Sequence, residues 1–158
     1  CDGGKTGYTD EARSCITVTA KRGDTRLICV AIGAENSKTR NKEVSEMLNY
    51  GFANYKTVYA ARKGEVIGEF AVANGKTDKI TVVLEKDCSA FIASGEQSEF
   101  SLEPQINKLT APVKSGDVVG KVIIKLNGND FAEVNAIAQN GCAQKGYKDI
   151  LDDFISKW

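Results

Sequence analysis

Lys5, Thr6 and Gly7 are the residues here best suited to hold a small molecule for chemistry. An ammonium and a hydroxyl projecting from a strand can grip a carboxylate, and a glycine beside them leaves room for it. The overlapping G-K-T reading as a phosphate cradle fails. Such a loop needs a glycine five positions ahead of the G-K-T glycine. For Gly75-Lys76-Thr77 that position is Phe70, and for Gly4-Lys5-Thr6 it falls before residue 1.

The rest of the composition removes whole classes of chemistry. The 158 residues contain no histidine, which excludes Ser-His-Asp and Cys-His catalysis and every histidine-based metal site. Neither a metal nor a cofactor is implied. Lys plus Arg and Asp plus Glu both number 21, so there is no basic excess of the kind a nucleic-acid binder shows. Cysteines at 1, 15, 29, 88 and 142 form no C-x-x-C pair. They read first as free, mostly buried thiols, with a Cys88–Cys142 disulfide left open. The longest apolar run is Leu27 to Ile32, far short of a membrane span. The opening Cys-Asp-Gly-Gly-Lys-Thr-Gly has neither the basic nor the apolar region of a secretory signal.

What must position Lys5–Gly7 is a hairpin and a helix. Ser14 to Ala20 alternates, Arg22-Gly23-Asp24 supplies a turn, and Arg26 to Ile32 is a β-prone run. The apolar density of Leu27–Ile32 predicts a strand buried on both faces. Ser37 is the expected N-cap of the helix that follows. Val44, Met47, Leu48, Gly51, Phe52 and Tyr55 line one face of it, opposite Lys42, Glu43, Glu46 and Asn49.

From about Thr57 the pattern becomes short strand-like runs at 65–73, 79–85, 90–92, 99–102, 117–126 and 131–138, punctuated by X-Gly turns. This predicts a small all-β sandwich or barrel. The tail changes period again. Tyr147, Ile150, Leu151, Phe154, Ile155 and Trp158 make a helical stripe. It suits either packing on its own domain or lying on a membrane surface, although its polar face is net acidic.

Lys5-Thr6-Gly7 is also the K-T-G element of serine penicillin-recognising enzymes. The segment Asp2 to Ala12 resembles the D-alanyl-D-alanine carboxypeptidases, the low-molecular-mass penicillin-binding proteins. Arg26-Leu27-Ile28, Gly33-Ala34, Ser37-Lys38-Thr39-Arg40 and Leu48-Asn49-Tyr50-Gly51-Phe52 follow in that family's order and spacing. Leu109 to Gly120 resembles the signature of its β-rich C-terminal domain. The resemblance runs from residue 1 to about 155.

It implies an α+β fragment of a penicillin-recognising (β-lactamase-like) domain at 1–56, a small all-β sandwich at 57–146, and an amphipathic helix at 147–158 leading to an anchor. It further implies that Lys5 and Thr6 grip the terminal carboxylate of a D-Ala-D-Ala stem peptide or a β-lactam, with Gly7 leaving room. Arg40 would add positive charge to that pocket. The backbone N–H of Tyr8, where many relatives carry histidine, would be one oxyanion donor. The family nucleophile sits in S-x-x-K, and no serine here is followed three places on by lysine. The chain therefore reads as the C-terminal part of a carboxypeptidase, inert alone, with an apolar strand edge that predicts dimerisation, swapping or aggregation. The substrate class places such an enzyme outside the cytoplasmic membrane. The alternative is a non-catalytic β module serving as a spacer or interaction surface near the membrane.

Overall fold

The β-prone residues on either side of Gly23-Asp24 fold back on one another. β1 (Gly3–Thr9) is followed by β2 (Arg13–Arg22) and β3 (Thr25–Ala34), all antiparallel in the order β1-β2-β3. Arg22 stands opposite Thr25, so the turn has two residues, and Gly23 takes the positive φ of 56° that such a hairpin favours. This computed structural model describes residues 1–155.

α1 (Ser37–Asn54) covers one face of the three-stranded sheet. Val18, Cys29 and Val44 are buried between them, with Ile16, Ala31 and Leu48 packed around. The cap is Asn36 rather than the expected Ser37. Its extended backbone lets the side-chain oxygen accept the Thr39 N–H at 2.9 Å, and Ser37 becomes the first helical residue. The expectation that Leu27–Ile32 is buried on both faces is also corrected. Ile28, Val30 and Ile32 are 69%, 55% and 74% exposed, because α1 covers only the Cys29 side.

The chain divides into two units, residues 1–58 with 90–97, and 59–89 with 98 onward. After α1 in the chain comes β4 (Tyr55–Ala61), which pairs with β7 (Cys88–Ala93). The boundary expected at 56/57 thus falls inside a strand. In the first unit the Tyr55 and Phe91 rings stack at 5.3 Å, and the buried Thr25 hydroxyl accepts the Thr57 N–H at 2.8 Å.

The second unit contains β5 (Val66–Ala73), β6 (Lys79–Leu84), β8 (Phe100–Ile106), β9 (Leu109–Thr110), β10 (Val118–Leu126) and β11 (Asn129–Ala138). They form one sheet in the order β8-β10-β11-β6-β5-β9, antiparallel except for β5 with β9. The fold is therefore predominantly β. Alternation sets the core: Ile80, Val82, Leu84, Val122, Ile124, Val134 and Ala136 point inward and are almost completely buried. Asn127 and Gly128 take φ of 52° and 81°, closing the β10–β11 hairpin as the Asn-Gly pair predicts. β8 extends past the expected Leu102 and includes Pro104. It can do so because it is an edge strand, where a missing N–H costs no ladder bond.

α2 (Tyr147–Ile155) begins the tail. Asp149 accepts the Gly146 N–H at 2.7 Å and pairs with Lys76 at 3.2 Å. Both interactions hold its carboxyl below the ordinary carboxylate range, the Gly146 bond contributing most. Tyr147, Leu151 and Ile155 of the stripe are exposed, and Trp158 lies outside the described residues. No helix among the described residues is long and apolar enough to cross a membrane.

Candidate functional site

β1 is an edge strand, and all seven of its residues are exposed. Successive side chains of a strand point to opposite faces, so register decides which face each residue serves. Thr6 pairs with Ile16 and Tyr8 with Ser14, which places both on the face that carries α1. Lys5 pairs with Thr17 and Gly7 with Cys15, on the opposite face. The sequence assigns Lys5 and Thr6 to one task, yet alternation sends their side chains apart. The length of lysine narrows the gap: its Nζ donates to the Thr6 carbonyl at 2.8 Å.

Gly7 is unusual among the strand glycines. A Cβ there would meet no atom within 4 Å, whereas one at Gly4 would come 3.2 Å from the Thr17 carbonyl oxygen. Packing within the unit therefore gives no reason for glycine at position 7. Beside it lies a shallow groove of about 400 Å³ whose lining includes Lys5, Thr6, Gly7, Cys15, Val30 and Ile32.

Arg40, in the first turn of α1, is only 7% exposed. Its Nη1 donates to the Cys15 carbonyl at 3.2 Å, while Nε and Nη2 donate to Asn41 Oδ1 at 3.1 and 2.9 Å. Cys15 is the residue opposite Gly7, so Arg40 lies one strand away from the K-T-G segment. Sequence reasoning missed both acceptors. A backbone carbonyl leaves no signal in residue type, and Asn41 would have been legible only as a hydrogen-bonding neighbour of a buried arginine. Tyr8 places its hydroxyl 3.4 Å from Asp10 Oδ1.

The start of β1 is tied down electrostatically. Arg26 reaches Asp2 at 2.6 Å, and the Thr19 hydroxyl donates to the same carboxylate at 2.9 Å. The Arg26 bond, then the Thr19 bond, holds the Asp2 carboxyl below its ordinary range. Among the described residues no cluster of His, Cys, Asp or Glu could hold a metal. All five thiols are free; Cys29, Cys88 and Cys142 are buried, Cys15 is partly buried and Cys1 is exposed.

Comparison with known proteins finds relatives of this chain. Residues 55–143 match the family model for the C-terminal domain of penicillin-binding protein 5, and residues 1–36 match that for D-alanyl-D-alanine carboxypeptidase. The chain is 30% identical to the D-alanyl-D-alanine carboxypeptidase DacF of Bacillus subtilis over 99% of its own length and 41% of the relative's. It is 32% identical to DacA of Haemophilus influenzae over 98% of its length and 40% of the relative's. Among solved structures, penicillin binding protein 5 from Haemophilus influenzae superposes with a TM-score of 0.70 at 31% identity, covering 89% of this chain and 42% of that one. The chain thus spans about two-fifths of the length of the curated relatives it matches.

Proposed function

Since this chain belongs to the family of the penicillin-binding protein 5 C-terminal domain, we propose that it is the C-terminal part of a serine-type D-Ala-D-Ala carboxypeptidase and carries half of its substrate site. Residues 1–56 are then the end of the penicillin-recognising domain, and residues 57–146, which follow in the chain, are the β domain.

Gly7 carries the reading. Its side-chain position is empty, no neighbour requires glycine there, and it adjoins an ammonium, a hydroxyl and a free strand edge. An extended peptide adding along that edge would bring its terminal carboxylate to Lys5 and Thr6. Arg40 would add positive charge from one strand away. Tyr8, on the same face as Thr6, would give its backbone N–H to the developing oxyanion.

The nucleophile would come from an S-x-x-K serine on polypeptide that this chain does not span. Its Oγ attacks the penultimate D-Ala carbonyl while lysine takes the hydroxyl proton. The amide C–N bond breaks, terminal D-Ala leaves with a proton, and water hydrolyses the acyl-enzyme. A β-lactam would acylate the same serine.

The bare face of β3, with Ile28, Val30 and Ile32 exposed, suits burial under that remaining polypeptide, or pairing with a second copy when the chain is alone. The exposed Tyr147, Leu151 and Ile155 suit a membrane surface, and the substrate class puts the enzyme at the outer face of the cytoplasmic membrane.

The test is to fuse this chain at Cys1 to the part of the Bacillus subtilis DacF polypeptide it does not match, and add fluorescent penicillin. Covalent labelling of the fusion, but not of the 158-residue chain alone, is the expected result. A folded fusion that stays unlabelled refutes the reading, and so does labelling of the chain by itself.

A further inference from the structure

The outer face of the second unit carries a polar row that runs across strands. Gln105 on β8 stands opposite Lys121 on β10, and Lys121 stands opposite Asn135 on β11. Asn135 Nδ2 in turn donates to Glu85 Oε2 at 2.8 Å. The row spans four neighbouring chain segments, roughly 14 Å at the usual spacing between strands.

Over it lies an open groove of about 370 Å³ lined by Gln105, Asn107, Lys121, Glu133, Asn135 and the 56% exposed Val118. Lys121 is neutralised by Glu133 at 2.8 Å. No hydrogen bond among the described residues uses the side-chain amide of Gln105 or Asn107.

We infer that this groove binds a neutral glycan strand built of acetamido sugars. Each free amide offers a donor and an acceptor together, which is what hydroxyl and acetamido groups require. Lys121 is offset by Glu133 and, among the described residues, Glu85 carries no partner cation, so the row has no positive excess to hold a polyanion. Val118 provides an apolar patch for the C–H face of a sugar ring. A groove open along a row of evenly stepped polar groups fits a linear polymer better than a compact ligand. The identity of the polymer rests on the carboxypeptidase reading above, since a D-Ala-D-Ala stem peptide hangs from the acetamido-sugar strand of peptidoglycan, but the groove lies in the other unit and is tested separately.

The experiment is an NMR titration of the isotope-labelled 158-residue chain with chitotetraose, using maltotetraose as a hydroxyl-only comparison. Expected are shifts of the Gln105, Asn107 and Asn135 side-chain amides with chitotetraose, and at least tenfold weaker binding in the Gln105→Ala/Asn107→Ala variant. The dispersion of that variant's remaining amide signals checks its fold, and Asn135→Asp serves as a second variant. Silence at millimolar chitotetraose, shifts confined to other residues, equal response to maltotetraose, or undiminished binding by both variants would overturn the proposal. Penicillin labelling of the fusion without chitotetraose binding would sink this inference and leave the catalytic reading intact. Binding without labelling would do the reverse, leaving a glycan site whose source is not a carboxypeptidase.

Discussion

Arg40 and Gly7 are joined through one backbone group: Arg40 Nη1 donates at 3.2 Å to the carbonyl of Cys15, the residue paired with Gly7 across β1 and β2. The arginine therefore braces the strand that backs the K-T-G segment.

Arg40→Ala removes the donor from that carbonyl and from Asn41. Leaving part-buried acceptors without donors costs about 1–3 kcal/mol, readable as a lower urea midpoint. Penicillin labelling of the fusion should also slow at least tenfold, on the order of 1.4 kcal/mol in the barrier. Labelling at the wild-type rate would remove Arg40 from the site and leave it a purely structural residue.

Two glycines should behave in opposite ways. Gly7→Ala meets no neighbour, so the unit should be as stable as before or more so by up to roughly 1 kcal/mol, while labelling of the fusion falls. Gly120→Ala should destabilise by about 1–3 kcal/mol, because its Cβ would press on the Gln105 carbonyl and come 2.8 Å from the Ile106 Cα. Thermal melts of the two variants separate a glycine kept for function from one kept for packing.

Self-association should depend on the bare side of β3. Sedimentation of the 158-residue chain is expected to show concentration-dependent dimers or larger species. The Ile28→Lys/Ile32→Lys variant should sediment as a monomer with an unchanged unfolding midpoint, since both side chains are mostly exposed. A wild-type chain that is monomeric at every concentration would refute the expectation.

Thiol reactivity should follow burial. Cys1 is exposed and should alkylate first, with the half-buried Cys15 slower because its Sγ donates to the Ala12 carbonyl at 3.1 Å. Burial raises the thiol pKa of Cys29 and of Cys88, so both should resist until the protein unfolds. The Thr77 hydroxyl lowers that of Cys142, yet its 2% exposure should still deny access to reagent. Mass mapping after iodoacetamide treatment at mildly alkaline pH reads the order.

Two ion pairs should appear on opposite limbs of the stability–pH curve. The folded-state pKa of Asp2 is depressed, chiefly by its Arg26 hydrogen bond. Its contribution is therefore present above the unfolded-state value and lost as pH falls through the folded one. The pKa of Lys125 is raised, chiefly by its hydrogen bond to Glu103 at 2.6 Å. Its contribution is complete below the unfolded-state value and lost as pH rises through the folded one. Asp2→Asn should flatten only the acid limb of denaturation midpoints, and Lys125→Met only the alkaline limb. Both effects should be small, because solvent screens each pair.

The elements that depend on local periodicity and turn chemistry were legible in the residues themselves. α1 follows from the spacing of Val44 and Leu48, although Met47 of the expected face is 46% exposed and Tyr55 belongs to β4. The β2–β3 and Asn127-Gly128 hairpins follow from alternation and a left-handed turn position, which are properties of a few consecutive residues. The K-T-G triplet stood out for the same reason. What the chain could not show locally was decided by pairing across distance. Register put Lys5 and Thr6 on opposite faces, α1 chose the Cys29 side of β3 and left Ile28, Val30 and Ile32 bare, and Arg40 found its partners in Cys15 and Asn41. Two-residue alternation says that a strand has two faces. Only the packing of another element against one of them determines which is core, which is surface and which residues meet as a site.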